Sequence, residues 1–189
     1  MKLNLSVVWP CENYTEALAL FMKKLQADKN PNNLEYPEYY LDSPDRTLQT
    51  LQEATKTAAD RKVSFRKSLP TYSYFIMRNY DLLGAFYITP TTNQQDAITA
   101  YGNIGYVVNP DFRRMGVASF AVSNALGICR NSFKMSEVVI GVYESNIGSK
   151  RTIEKAGGQA IKRIWRKSDE PLERNGVWDI YYAFQNQRS

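Results

Sequence analysis

Histidine is absent from all 189 residues. That absence removes histidine-activated serine or cysteine nucleophiles, histidine-ligated metals and histidine as general base, so most hydrolase and metalloenzyme chemistries lose their usual side chain. Cysteine is almost absent. Cys11 and Cys129 stand alone without metal-ligand spacing, which excludes a disulfide framework or a cysteine zinc site and predicts buried, reduced thiols. Long apolar runs are missing too: polar residues interrupt each one before it could span a bilayer, and no apolar amino-terminal run leads to a small-residue cleavage site. A soluble, cytoplasmic protein with no membrane partner is expected. There is also no massed basic tract. The net charge is +5, but the lysines and arginines are scattered, and the tyrosine-rich loop carries acids rather than cations, which argues against a stacking groove for nucleic acid.

With 43% hydrophobic residues and no shift in composition, the chain reads as one domain spanning residues 1–189. Leu3 to Val8 is a short β-like run. Beyond it Tyr14, Ala17, Leu18, Phe21, Met22 and Leu25 fall on one helical face. A second helix is expected from Ser43 as cap and Pro44 at its first position, through Leu48, Leu51, Ala54 and Ala58. "TYSYFIMRNYDLLGAFYIT" predicts a hairpin turning at Asn79, Tyr80 and Asp81, and "YGNIGYVVNP" a third strand. A helix carrying Ala118, Val122, Ala125 and Cys129 follows. "SEVVIGVY", apolar throughout, is the kind of strand expected in a buried parallel pair. Asn146 can cap a helix that ends at Lys155 before Gly157 and Gly158, and "AIKRIWR" and "VWDIYYAF" form a closing hairpin around Asn175 and Gly176. The order predicts an α/β (α+β) domain with a mixed central sheet: an antiparallel first half, one βαβ unit and a C-terminal hairpin.

Between third strand and helix lies "NPDFRRMGVASF". Glycine at a helix start lets a ligand approach outward-pointing N–H groups, and the helix dipole adds positive potential, so the loop is either a phosphate cradle or an ordinary turn with solvated arginines. Arg113, Arg114, Met115, Gly116, Val117 and Ala118 match the arginine/glutamine-x-x-glycine-x-glycine/alanine pattern of the GCN5-related N-acetyltransferases (GNAT). "NIGSKRTIEKAGG" resembles that family's second cofactor motif through Asn146, Ser149, Glu154, Lys155 and Gly157. The chain resembles the GNAT superfamily along its whole length, and its phrasing is closest to bacterial predicted acetyltransferases of undefined acceptor.

The resemblance implies direct transfer of an acetyl group from acetyl-CoA, used as co-substrate without a metal, to an amine of a small molecule or peptide. It implies a bulged, splayed central strand on which the backbone of Tyr106, Val107 and Val108 holds the pantetheine arm. It also implies that Arg113, Arg114, Met115, Gly116, Val117, Ala118 and Ser119 wrap the pyrophosphate, with Asn146 and Ser149 on the arm. It allows a homodimer. Two positions depart from the family: Asn103 stands where many members carry a glutamate, and Ile153 where a tyrosine often serves as acid. Tyr143 and Glu144 are then the candidate acid or base, and the alternative is a catalytically silent acyl-CoA-binding domain. The segment Asn30 to Asp45 corresponds to the acceptor side. Its Glu35, Glu38, Asp42 and Asp45 alternate with Tyr36, Tyr39 and Tyr40, which suits a cationic amine or, equally, a solvated surface loop.

Overall fold

The computed structural model describes residues 4–29, 43–55, 69–91, 93–166 and 176–185. Among these residues, two antiparallel sheets and five α-helices make an α/β fold. The first sheet has the order β1 (Ser6–Val8), β2 (Tyr72–Arg78), β3 (Asp81–Ile88), β4 (Ile104–Val108); the second places β7 (Val177–Gln185) between β5 (Glu137–Tyr143) and β6 (Gln159–Arg166). The helices are α1 (Thr15–Gln26), α2 (Pro44–Glu53), α3 (Gln94–Thr99), α4 (Val117–Asn131) and α5 (Ile147–Lys155).

Side-chain alternation along the strands of the first sheet directs its apolar residues to two faces. On one face of the first sheet, Leu18, Phe21, Met22 and Leu25 of α1 and Leu48 and Leu51 of α2 pack on Phe75, Met77, Leu82 and Ala85. On the other face, Val117, Ala121, Val122, Ala125 and Cys129 of α4 pack on Ile76, Leu83, Phe86 and Ile104, continuous with Val138, Ile140, Val142 and Ile153. The predicted caps hold: the Ser43 side chain accepts from the Arg46 N–H, and that of Asn146 from Ser149. At the end of α5, Gly157 takes a φ of 96° and the Gly158 N–H bonds the Ile153 carbonyl at 3.0 Å, which stops the helix as its glycine pair predicts.

Three details differ from expectation. β5 is apolar on both faces, yet its ladder is antiparallel to β7, and it meets the first sheet through an isolated bridge between Gly102 and Ile140 and through bonds to Asn103 instead of a strand ladder. The β4–α4–β5 crossover therefore joins two sheets instead of two paired strands. The β3–β4 ladder runs from Gly84↔Val108 to Ile88↔Ile104 without a register shift, so the bulge expected on β4 is absent; the shifts lie at Ile76/Met77 and Ala160/Lys162. A short helix, α3, capped by Asn93, fills the connection before β4. The strand residue Leu3, the helix residue Ala58 and the turn residue Asn175 lie outside the described residues, as do Glu35, Tyr36, Glu38, Tyr39, Tyr40 and Asp42. Asp45 sits in the first turn of α2. No helix among the described residues is long and apolar enough to cross a membrane.

Candidate active site

Among the described residues, β4 is paired in a ladder on one edge only. In an antiparallel ladder, residues whose N–H and C=O face the partner alternate with residues whose groups face away. The Asn109 N–H bonds Leu83 O at 2.9 Å and the Thr89 N–H bonds Asn103 O at 2.7 Å, so the odd-numbered positions turn toward β3. The N–H and C=O of Tyr106 and Val108 therefore face the gap on the β5 side, whereas those of Val107 are taken up by Ala85 across the ladder. Of the three backbone positions expected to bind the pantetheine, two point into the gap.

Asn103 closes the base of that gap. It is 1% exposed, and every part of its amide is engaged: Nδ2 donates to Thr89 O at 3.0 Å and to Thr91 Oγ1 at 2.8 Å, and Oδ1 accepts from the Val139 N–H at 2.8 Å. Its own N–H bonds Val139 O at 2.6 Å. Asn103 is thus a clasp between β3, β4 and β5.

Beyond β4, the chain makes one 3-10 turn, Pro110–Phe112, and is fastened to α1. Lys24 meets Asp111 at 2.7 Å, and the Arg113 guanidinium pairs with the nearly buried Asp28 carboxylate. Arg113 thereby anchors the loop, a use invisible in the motif. Arg114 is exposed with φ 64°, and Gly116, the N-cap of α4, has φ 86° with open space where a Cβ would stand. The first helical bond runs from the Phe120 N–H to Gly116 O, so the N–H groups of Val117, Ala118 and Ser119 have no partner within the helix. Exposed Met115, left-handed Gly116 and three outward N–H groups at the positive end of a 15-residue helix suit an anionic group such as a phosphate.

Asn146 spends its Oδ1 on the Ser149 N–H at 3.1 Å. The Tyr106 ring is directed to the same helix: its hydroxyl is buried without a hydrogen-bond partner, beside the side chains of Ser149 and Thr152. Burial pushes this phenol up from its ordinary value. Ile153 is fully buried in the core under α4.

Tyr143 and Glu144, the expected acid or base, lie in different surroundings. Tyr143 is nearly buried, its ring 6.2 Å from that of Tyr101 and 5.4 Å from the Arg166 guanidinium. Arg166 donates to the buried Asp179 at 2.9 Å, and Asp179 also accepts from the Tyr101 hydroxyl at 3.1 Å. Glu144 is gripped by Arg163 through contacts of 3.0 and 2.6 Å, and this hydrogen bonding holds its carboxyl below the ordinary value. Such a carboxylate is a weak base. Sequence reasoning did not find the tyrosine–arginine–aspartate cluster; Asp179 facing Ile164 within the predicted hairpin is its one local signal, a lone acid among apolar strand residues.

A surface depression of about 520 Å³ shares none of the loop residues; it lies at the Asn103 end, lined by Thr91, Gln94, Lys134 and Glu137 among others. The cradle is instead an open backbone surface, which needs no deep cavity to hold a phosphate. Among the described residues, no group of three or more cysteines or carboxylates could hold a metal ion.

The fold has relatives among solved structures. One solved structure, a ribosomal L7/L12 alpha-N-protein acetyltransferase (RimL) in complex with coenzyme A, is 18% identical with a TM-score of 0.68, covering 96% of this chain and 93% of that one. The microcin C7 self-immunity acetyltransferase MccE, in complex with acetyl-CoA and AMP, is 16% identical with a TM-score of 0.68, covering 96% and 92%. A ribosomal-protein-S5-alanine acetyltransferase from Vibrio fischeri is 10% identical with a TM-score of 0.70, covering 97% and 92%. No curated protein matches the chain by sequence. The acetyltransferase (GNAT) domain family, in contrast, matches residues 15–159, and with that span the chain belongs to the GNAT acetyltransferases.

Proposed function

We propose that the protein is an acetyl-CoA-dependent N-acetyltransferase that acts on an amine of a small molecule or peptide. The observation that carries this reading is the juxtaposition of two binding surfaces: the unpaired β4 edge at Tyr106 and Val108, and the open α4 N-terminus at Gly116. The N–H groups of Val117, Ala118 and Ser119, with the Arg114 charge, would hold the pyrophosphate; Met115 and Asn146 would flank the arm, with Ser149 beside it. Acetyl-CoA, when bound, supplies an acetyl group activated as a thioester. The backbone donors of β4 would polarise its carbonyl, and their rigidity in the ladder keeps them aimed without reorganisation. The likeness to the ribosomal L7/L12 α-N-protein and ribosomal-protein-S5-alanine acetyltransferases supports a peptide amine as acceptor.

An alkylammonium with a pKa near ~10.4 must lose a proton before it can attack. Asn103 is not the base, because an amide does not take up protons at these pH values and this one is fully engaged. Tyr143 is the better of the two candidates, since its phenol lies against a permanent cation, whereas Glu144 is committed to Arg163. The locked Asn103 and apolar Ile153 also favour a second reading, an acyl-CoA-binding domain that does not transfer. Calorimetric titration with acetyl-CoA, followed by thiol-release assays over a panel of amines, tests both. Micromolar binding with turnover supports the enzyme, binding with no turnover on any amine supports the silent domain, and no binding removes both.

A further inference from the structure

Asp28 is the second residue beyond the end of α1, and its side chain is only 10% exposed. Two effects disfavour a carboxylate there: burial strips its water, and the C-terminal end of a helix is the negative end of its dipole. The Arg113 guanidinium, 85 residues away in sequence, offsets both by pairing with it. Its two neighbours in the loop are fastened as well. Asp111 meets Lys24 of α1 at 2.7 Å, with both side chains half exposed, and the Phe112 ring centre lies 5.0 Å from the Arg78 guanidinium of β2. The Asp28 pair is the more enclosed of the two ion pairs to α1, and it holds the residue directly before Arg114. Arg114 takes a left-handed φ of 64°, a region that a long side chain adopts only where its surroundings fix the backbone. Gly116 and the outward N–H groups of α4 follow at once.

We propose that Asp28 is a positioning residue of the cofactor site: through Arg113 it fixes the loop in the one conformation that presents the α4 N–H groups to the pyrophosphate of acetyl-CoA. This rests on the acetyl-CoA reading above and extends the site to an acid outside the glycine motif. Positioning and plain electrostatics predict opposite signs. Acetyl-CoA is a polyanion, so removing a carboxylate near its site should by Coulomb's law tighten binding, and an Arg113 released from Asp28 should add attraction. A positioning residue does the reverse. Without Asp28 the loop leaves the conformation that holds Arg114 left-handed, and the apparent affinity falls with the population of the competent form.

The test is calorimetric titration of acetyl-CoA into wild type, Asp28→Asn, Arg113→Gln and the double variant, at low and at moderate salt. Asp28→Asn keeps the size of the side chain and removes its charge. Affinity is expected to fall about tenfold in it, the effect of a competent form reduced to about a tenth of the population. Arg113→Gln should lose a similar amount, and the double variant no more than either single one, because the two residues act as a unit. Glu16→Gln removes the same charge from the exposed first turn of α1 and should bind as wild type does. Circular dichroism melting identifies the variants that are folded at the assay temperature. A pair that served global stability alone would lower the melting temperature and leave the affinity of the folded protein unchanged. Unchanged or tighter binding in folded Asp28→Asn, losses that add in the double variant, or an equal loss in Glu16→Gln would each overturn the assignment. Should Asp28→Asn not fold, the salt dependence of Arg113→Gln decides: a positional loss keeps its size as salt rises, whereas a loss that shrinks with salt marks Arg113 as a direct phosphate contact and overturns the role of Asp28. If wild type does not bind acetyl-CoA, the cofactor reading itself falls; wild-type binding with an unaffected Asp28→Asn removes only the role of Asp28.

Discussion

The ring of Tyr87 on β3 fills the space that a side chain at Gly105 on β4 would need: a Cβ there would stand 2.2 Å from Cζ and 2.3 Å from both Cε1 and the hydroxyl oxygen. The two residues are cross-strand partners on the α1/α2 face. Gly105 is therefore fixed by its neighbour's ring and not by its own dihedral angles. Gly105→Val should destabilise the fold by about 2 kcal/mol or more, because a packed core resists added methyl groups. Removing the ring first should relieve that cost, so the penalty of Gly105→Val measured by denaturant unfolding should shrink in a Tyr87→Ala background. Equal penalties in both backgrounds would mean that the ring has room to move aside.

Asn103 predicts a structural phenotype at a position where a catalytic one is expected by family analogy. Asn103→Ala strands the Val139 N–H and the Thr89 carbonyl in a buried place, at a cost of about 3 kcal/mol. Asn103→Glu, which restores the family's residue, cannot donate to Thr89 and brings a charge into a site that is 1% exposed. It should destabilise at least as strongly and should not raise turnover. A glutamate variant that folds well and works faster would contradict the clasp.

These two residues also mark the limits of sequence reading. Periodicity made α1, the β2–β3 hairpin and the β6–β7 hairpin legible, and side-chain chemistry made the Ser43 and Asn146 caps legible, because each signal is local. The clasp joins residues up to 36 positions apart and the Arg113–Asp28 pair residues 85 apart, and no local pattern carries such distances. α3 escaped because six residues are too few to establish a period. The continuous apolar run of β5 reports burial on two faces but is silent about which strand lies beside it. Within the site, the glycine motif pointed to the open α4 N-terminus, but the motif arginine nearest the turn pairs with Asp28, just beyond α1.

Gly116 has a left-handed φ of 86° and nothing within 4 Å of a would-be Cβ. A substitution is therefore penalised by backbone conformation alone. Gly116→Ala should cost about 1 kcal/mol in stability, with Gly116→Asn milder because asparagine tolerates this region. If the N–H groups behind it form the cradle, acetyl-CoA affinity should fall further in Gly116→Val than in Gly116→Ala, as the side chain grows into the open space. Calorimetry that found equal affinity in all three variants would remove the loop from the binding surface.

Glu144 gives a prediction with a definite sign. Its carboxyl is held below the ordinary value by Arg163, so the group stays ionised from the mildly acidic range upward. The pair's contribution is present above the unfolded carboxyl's pKa and is lost as pH falls through the lowered one. Because both groups are exposed, salt should weaken it. Glu144→Gln should accordingly leave the neutral limb of a turnover profile unmoved, whereas Tyr143→Phe should lower that limb. A shifted neutral limb in Glu144→Gln would make Glu144 the base after all.

Cys129 is fully buried on the inner face of α4 and its thiol is pushed up to about 12 by burial, so almost none of it is thiolate near neutral pH. Thiol reagents should modify the half-buried Cys11 in the native protein and reach Cys129 only after unfolding. The same burial has a consequence for stability. Above the unfolded thiol's pKa the unfolded chain gives up its proton while the folded chain keeps it, so the unfolded state binds fewer protons and stability falls as pH rises toward about 12. Tyr182, raised to about 12 by burial and by Glu154, acts in the same direction over the upper part of that range. Denaturant midpoints for wild type and Cys129→Ala should therefore converge as the solution is made alkaline, because the variant lacks the thiol's share of the loss. Midpoints that stay parallel from neutral pH to pH ~11 would mean that the thiol titrates alike in both states and that its burial is incomplete.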